Sequence, residues 1–488
     1  MASGTGPGLP GRGCHQICYL AIQLCSAAYL DPIHRGILVC AFIDRPPKSG
    51  RKGHLMRTAR TMPKIVMPDW PLIWKDKYIL ALSFFLQLAL ALFFGHYYDM
   101  RIFMATGYLV SSGQNPYIAQ DLSGVFNNLS FQGITTIGYP PPWALVLGLI
   151  YRVTYPLTHN LLIYNLFIKI PIIAANICLA YLTSKILIRL GAKAKVCQRA
   201  WRIMLMSPFL LYFSSAWGQF DSIVALLALS AMLMLEFGKV TTSAIMLAAA
   251  ISFKPTASPL LLVAFAYLSG KSLRQTLQFF AVCLAGIVLF CCVPFMVLGW
   301  SPDPILLNWN AHFTVAGGMS VLTFYELLKN SYNLPGSWWL LGLAWIPALM
   351  IEMLQMRRGI IGFKDLLKKS TAVILVFFLT RAWLSEPNII LVFPLVLILT
   401  AAGQLNSKAL NAVWILPLIF TVFNGSLPQL FFPSMPGIME KMLKVEENFR
   451  TFRLIAKTLT VIPWQIAGWW IVAACFRSTP DLVVKNWK

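Results

Sequence analysis

Carboxylates are scarce in this sequence. Only 17 of its 488 residues are Asp or Glu, against 40 Lys and Arg, and charged side chains of both signs make up 12%. With 58% hydrophobic residues and a mean hydropathy of +0.68, the chain has too few polar groups to face water on every side. That excludes an ordinary soluble globule and points to a polytopic membrane protein. Other absences narrow the chemistry. There is no Walker or Rossmann glycine loop, no HExxH and no GxSxG, so nucleotide-driven and zinc-hydrolase mechanisms lose support. The ten cysteines fall at 14, 18, 25 and 40, then inside apolar segments or in a basic loop, and none has zinc-ligand spacing. No internal repeat of clear period is visible, which counts against transporters built from repeats.

The excess of positive charge could suggest nucleic acid, but the cations sit in short loops between apolar runs. That is the positive-inside pattern of membrane loops, not a nucleic-acid-binding face. The loop "RLGAKAKVCQRAWR" holds Arg189, Lys193, Lys195, Arg199 and Arg202 with no acid, which makes it cytoplasmic. The first apolar run, Tyr78 to Phe94, follows Lys64, Lys75 and Lys77. It should run outward and leave Asp99 on the extracytoplasmic side. "YPPPWALVLGLIYRVTYP" offers only about 15 residues after its prolines and contains Arg152, short of the roughly 20 a span needs. It is expected to be re-entrant or in-plane within the first outer loop.

Downstream, hairpins with short polar tips follow: "GQFD" after Trp217, "KPT" after Phe253 and "LSEPN" after Trp383. The expected fold is an all-α polytopic membrane protein of about twelve transmembrane helices with both termini cytoplasmic. Residues 1–69 read as a basic, disordered arm, or as untranslated sequence with Met62 or Met67 as the start; 70–477 form the transmembrane domain, and 478–488 a cytoplasmic tail.

This topology gathers Asp99, Asp221, Lys254, Asp303, His312, Arg381 and Glu386 near the outer interface, where ionisable groups are costly unless paired, solvated or used. Each has a structural and a chemical reading. Asp99, beside His96, Tyr97, Tyr98 and Arg101, either marks a helix end or acts as general base on a sugar hydroxyl. Asp221 can cap the descending helix. Lys254 either snorkels or binds a phosphate as a point charge. In "TRAWLSEPNIILVFPL", Arg381 and Glu386 either pair to fix the hairpin tip beside Asn388, or Arg381 grips a lipid-linked phosphate in bidentate fashion. His312 caps its loop or binds the same phosphate.

In their order along the chain, "YYDMRIFMATGYLVSSGQNPY", "YPPPWALVLG", "SSAWGQFDSIVALL", "SFKPTASPLLL" and "RAWLSEPNIILVFPL" resemble the integral-membrane glycosyltransferases of the C-type fold, especially the polyprenol-phosphate-mannose-dependent α-mannosyltransferases. The resemblance runs from about residue 70 to 403 and implies the C-type fold. It also implies inverting transfer of a sugar, mannose first among hexoses, from a polyprenyl-phosphate donor to a glycolipid or lipid-linked glycan acceptor on the extracytoplasmic face. Asp99 matches the family's acidic residue in the first outer loop. Some relatives carry a second acid two residues on, where this chain has Arg101, so a bound metal is not expected. No cofactor and no nucleic acid is implied; membrane lipids are the other partners. Lys254, Arg381 and His312 would stabilise the departing phosphate in place of a metal, with Arg101, Asp221, Glu386 and Asn388 in support. The competing class is a multi-span lipid or solute transporter or flippase, whose polar groups would lie near the midplane and not at one face.

Overall fold

The computed structural model describes residues 76–307, 315–325, 328 and 342–477. The expected arm (1–69), the expected tail (478–488) and His312 lie outside the described residues. So does part of the expected span from Trp338 to Leu354.

The described chain is mostly helical. Helix α1 (Lys77–Phe93) is a Leu- and Ala-rich run without Gly or Pro, and it stops where Phe94 turns extended ahead of Gly95. Helix α2 (Tyr97–Ser111) starts after His96 with Asp99 in its first turn, a position that the helix dipole favours for an acid. Helix α3 (Pro141–Thr158) opens on proline, whose missing N–H costs nothing in a first turn. Asn160 then caps α4 (Leu161–Arg189) by accepting from the Leu162 and Ile163 amides. Helices α2, α3 and α4 pack together. Gly107 permits the close approach: a side chain there would strike the Tyr164 hydroxyl and the Leu147 carbonyl.

Helix α5 (Ala194–Met206) continues through Pro208–Leu210 into a π-helical turn, Leu211–Ala216. The chain breaks at "WGQF", where Gly218 takes φ +102°, and turns by 118° into α6 (Asp221–Glu236). Helix α7 (Val240–Phe253) ends because Pro255 forces Lys254 into extended backbone (φ −153°, ψ 119°). Next come α8 (Leu260–Ser269) and α9 (Leu273–Ile287), the latter continuing to Leu298. The rest comprises α10 (Trp345–Gln355), α11 (Gly362–Thr380), a 3-10 turn Glu386–Leu391, α12 (Phe393–Ala401), α13 (Ser407–Asn424), α14 (Pro436–Asn448) and α15 (Arg450–Phe476). A two-residue parallel ladder pairs β1 (Gly317–Gly318) with β2 (Trp383–Leu384), docking the segment after residue 315 onto the Arg381 tip.

Among the described residues, four helices are long and apolar enough to cross a membrane: α4, Leu273–Leu298, α13 and α15. The bent α5–α6 pair would make five. This is fewer than the expected dozen: α1, α7, Pro255–Ser269 and Glu386–Ala401 are shorter than a full span, the bent pair counts two expected spans as one, and part of the expected span from Trp338 to Leu354 lies outside the described residues.

The helix ends sort into two poles. At one pole Asp76, at the start of α1, accepts from Arg202 Nη2 (2.6 Å), Arg202 Nε (3.0 Å) and Gln198 (2.9 Å) of the basic segment. Arg189 at the end of α4 meets Glu236 at the end of α6 (3.6 Å), and the Tyr267 hydroxyl of α8 donates to the same Glu236 (3.2 Å). The opposite pole gathers the "FGH" break after α1, the "WGQF" turn, the Lys254 break and the 381–388 tip.

Candidate active site

Asp99 stands where two helix breaks meet. The Gly95 amide donates to the Leu430 carbonyl (2.8 Å) and the His96 amide to the Trp217 carbonyl (3.1 Å), so the α1–α2 break is fastened to the "WGQF" turn. The His96 and Trp217 rings then stack 3.9 Å apart, 6° from parallel. Trp217 Nε1 donates to Asp99 Oδ2 at 2.6 Å, and His96 Nδ1 lies 3.1 Å from the same oxygen but forms no well-directed hydrogen bond to it. The Asp99 side chain remains 16% exposed. Burial pushes its carboxyl up, but the neighbouring His96, Trp217 and Gln219 outweigh burial and hold it below the ordinary carboxylate value. It is therefore a carboxylate at neutral pH.

Beside it lies a buried ion pair. Lys254 Nζ is 2.8 Å from both Asp221 oxygens, and the two side chains are 7% and 2% exposed. Asp221 is the first residue of α6 and makes no side-chain cap, so its expected capping role gives way to pairing with Lys254. Lys254 does not snorkel; its ammonium sits over the Tyr139 and Phe220 rings, 5.2 and 5.5 Å from their centroids. Tyr139 lies near enough to feel both acids. Burial, then the charges of Asp99 and Asp221, push its phenol well above the ordinary value, which leaves it a neutral donor.

At the 381–388 tip Arg381 and Glu386 do not pair, which removes the structural one of their two readings. Glu386 accepts from Asn424 Nδ2 (2.9 Å), and Arg381 lies over the Phe377 ring (5.0 Å) with its Nη1 buried and unpartnered. Ser320 Oγ anchors the tip by donating to the Arg381 carbonyl (2.6 Å). Asn388 is buried with its Oδ1 unpartnered. Arg101 turns away from Asp99, stacking on Tyr97 (3.8 Å) and donating to the Tyr97 and Ser130 carbonyls. Asp303 is exposed and bonded locally to Ser301.

The fold thus brings Asp99, Asp221 and Lys254 around Tyr139, and places Arg381, Glu386 and Asn388 on the same pole. Sequence reasoning missed Trp217, Gln219 and Tyr139, although each lies inside a motif it quoted. It also missed Lys169, a fully buried lysine of α4 that donates to the Phe94 carbonyl and to the Ala216 carbonyl (2.9 Å) behind the site. Among the described residues no cluster of His, Cys, Asp or Glu could hold a metal ion. No protein-family model matches this sequence, and no curated protein matches it either.

Proposed function

We propose that the protein is a membrane glycosyltransferase of the C-type fold. It moves a hexose, mannose first, from a polyprenyl-phosphate donor to a hydroxyl of a glycolipid or lipid-linked glycan on the extracytoplasmic face, with inversion. The observation that carries this reading is the state of Asp99. The other sheltered carboxylates of its pole are taken up by partners: Asp221 by Lys254, Glu386 by Asn424 and Glu446 by Arg453. Asp99 keeps a partly exposed carboxyl side chain whose neighbours are the Trp217 indole, His96 and Gln219, none of them a lysine or arginine.

Membrane depth fits this assignment. Lys169 lies level with the Phe94 carbonyl, and Lys169 to Arg189 measures about 30 Å at 1.5 Å per residue, one hydrocarbon thickness. The first turns of α4 then rise beyond the bilayer with α2 and α3, consistent with an outer-face helical hairpin in the first loop. Counting the two arms of the bent α5–α6 pair and the four short apolar helices separately gives ten crossings, and α10 and α11 would bring the count to about twelve.

In the proposed step Asp99 takes the proton of the acceptor hydroxyl as its oxygen bonds to the anomeric carbon. The bond from that carbon to the phosphate oxygen breaks, and the polyprenyl phosphate departs with the electron pair. Because the carboxylate is a weak base, the proton moves late, when the attacking oxygen has already become acidic. The unpartnered Arg381 Nη1 suits the departing phosphate. Lys254, already neutralised by Asp221, would contribute at longer range, and His312 is the remaining candidate.

The test uses membranes containing the wild type or Asp99→Asn, radiolabelled polyprenyl-phosphate mannose and a glycolipid acceptor. Transfer is expected to fall about 100- to 10,000-fold in the variant, with unchanged protein in the membrane. Undiminished product formation would refute the assignment, and movement of the intact donor lipid by both proteins would identify a flippase instead.

A further inference from the structure

We propose that Lys169 is the positioning residue of this site: its ammonium clamps the carbonyl ends of two interrupted helices and so fixes the angle at which Trp217 meets Asp99. The proposal builds on the reading of Asp99 as base.

Lys169 is 0% exposed in the middle of the apolar stretch "LFIKIPII", and among the described residues no carboxylate lies within ion-pair distance of it. A buried ammonium without a counter-ion needs another source of negative potential. Two helix ends supply it. Phe94 ends α1 and Ala216 ends the π turn after α5, so both carbonyls fall among the acceptors that a helix leaves unsatisfied at its C-terminus, where its dipole is negative. Lys169 donates to both. One turn earlier on the same face, Asn165 Nδ2 donates to the Ala91 (2.7 Å) and Phe94 (2.8 Å) carbonyls. The lysine stem also supports the turn, since a Cβ on Gly218 would lie 3.0 Å from Lys169 Cε.

The next residues after each clamped end make the site. Gly95 and His96 follow Phe94; Trp217 follows Ala216. The two strands of backbone are joined by the His96 amide and the Trp217 carbonyl, and the side chains by the indole–carboxylate bond. Removing the ammonium leaves two converging carbonyl ends that repel, and the relief available to them is separation of the two breaks. That separation would draw the Trp217 indole off Asp99.

The experiment incorporates 5-fluorotryptophan, assigns the Trp217 resonance by its loss in Trp217→Phe, and compares Lys169→Met, Lys169→Arg and Asp99→Asn in detergent by fluorine NMR. Lys169→Met is expected to shift the Trp217 resonance toward its Asp99→Asn position while other tryptophans stay in place, and Lys169→Arg, which keeps the cation, to restore most of the wild-type position. In parallel, kcat for sugar transfer should fall about 100-fold in Lys169→Met with donor KM changed less than about twofold. Lys169→Gln replaces Lys169→Met if the latter does not fold. An unmoved Trp217 resonance in the neutral variant overturns the proposal. So does a general loss of folding in both neutral variants, which would make Lys169 a plain structural tie. The fluorine comparison needs no substrate, so failure of the transferase assignment and failure of the clamp are separately visible.

Discussion

At the residue scale, the site depends on how one carboxylate is held. Trp217→Phe removes the 2.6 Å donor to Asp99. Losing a hydrogen bond to the charged form raises the carboxyl pKa. The acid limb of the kcat/KM profile, which lies below pH 3.8 if set by wild-type Asp99, should therefore move to higher pH in the variant. A pH–rate series on both proteins checks the direction. Asp99 stood out in the sequence because it follows the first apolar run directly, beside His96, Tyr97, Tyr98 and Arg101. Trp217 was not, since 118 positions separate it from Asp99 and an indole among apolar residues looks like any lipid-facing side chain. Arg101 shows the opposite error: adjacency to Asp99 suggested cooperation, yet helical geometry directs it to Tyr97 and Ser130.

At the scale of elements, the α6 start and the α7 end are joined through Lys254 and Asp221, a pair buried deeply enough that each charge depends on the other. Lys254→Met leaves Asp221 buried and unpaired and should destabilise the protein by about 3–5 kcal/mol, whereas Lys254→Met with Asp221→Leu should recover most of that. Thermal unfolding in detergent measures both. Sugar transfer separates the roles further: recovery of stability without recovery of rate would mean the charges also serve the phosphate. The break that ends α7 at Lys254 was readable from "FKPT", because proline restrains the residue before it. The pairing was not, since both residues also had plausible solitary roles, as a snorkelling cation and as a helix cap.

For the molecule as a whole, the two poles are the main consequence of charge distribution. Asp121→Cys, on an exposed loop that the proposed topology puts outside, should react with a membrane-impermeant maleimide added to intact cells, and Lys195→Cys in the basic segment only after permeabilisation. The reverse pattern would invert the topology. The basic pole carries its own pH signature. The hydrogen bond from Arg202 holds the Asp76 carboxyl below its ordinary 3.8, against burial. Because the folded value is depressed, the stabilisation is present above 3.8 and lost as pH falls through the folded value. Arg202 is 47% exposed, so solvent screening keeps the effect small. Melting curves of wild type and Asp76→Asn should diverge near neutral pH and converge in acid.

Composition and hydropathy by themselves determined that this chain is a helical membrane protein, where its breaks fall and that Asp99, Asp221 and Glu386 share one pole. Those properties follow from local hydropathy, proline and glycine restraints and the sign of nearby charge, all of which act over a few residues. Only the tertiary structure decided which partner each charge takes: Asp221 with Lys254, Glu386 with Asn424, Asp99 with Trp217, and Lys169 with two backbone carbonyls. In a low-dielectric interior, pairing is governed by distances of a few ångströms between segments far apart in the chain.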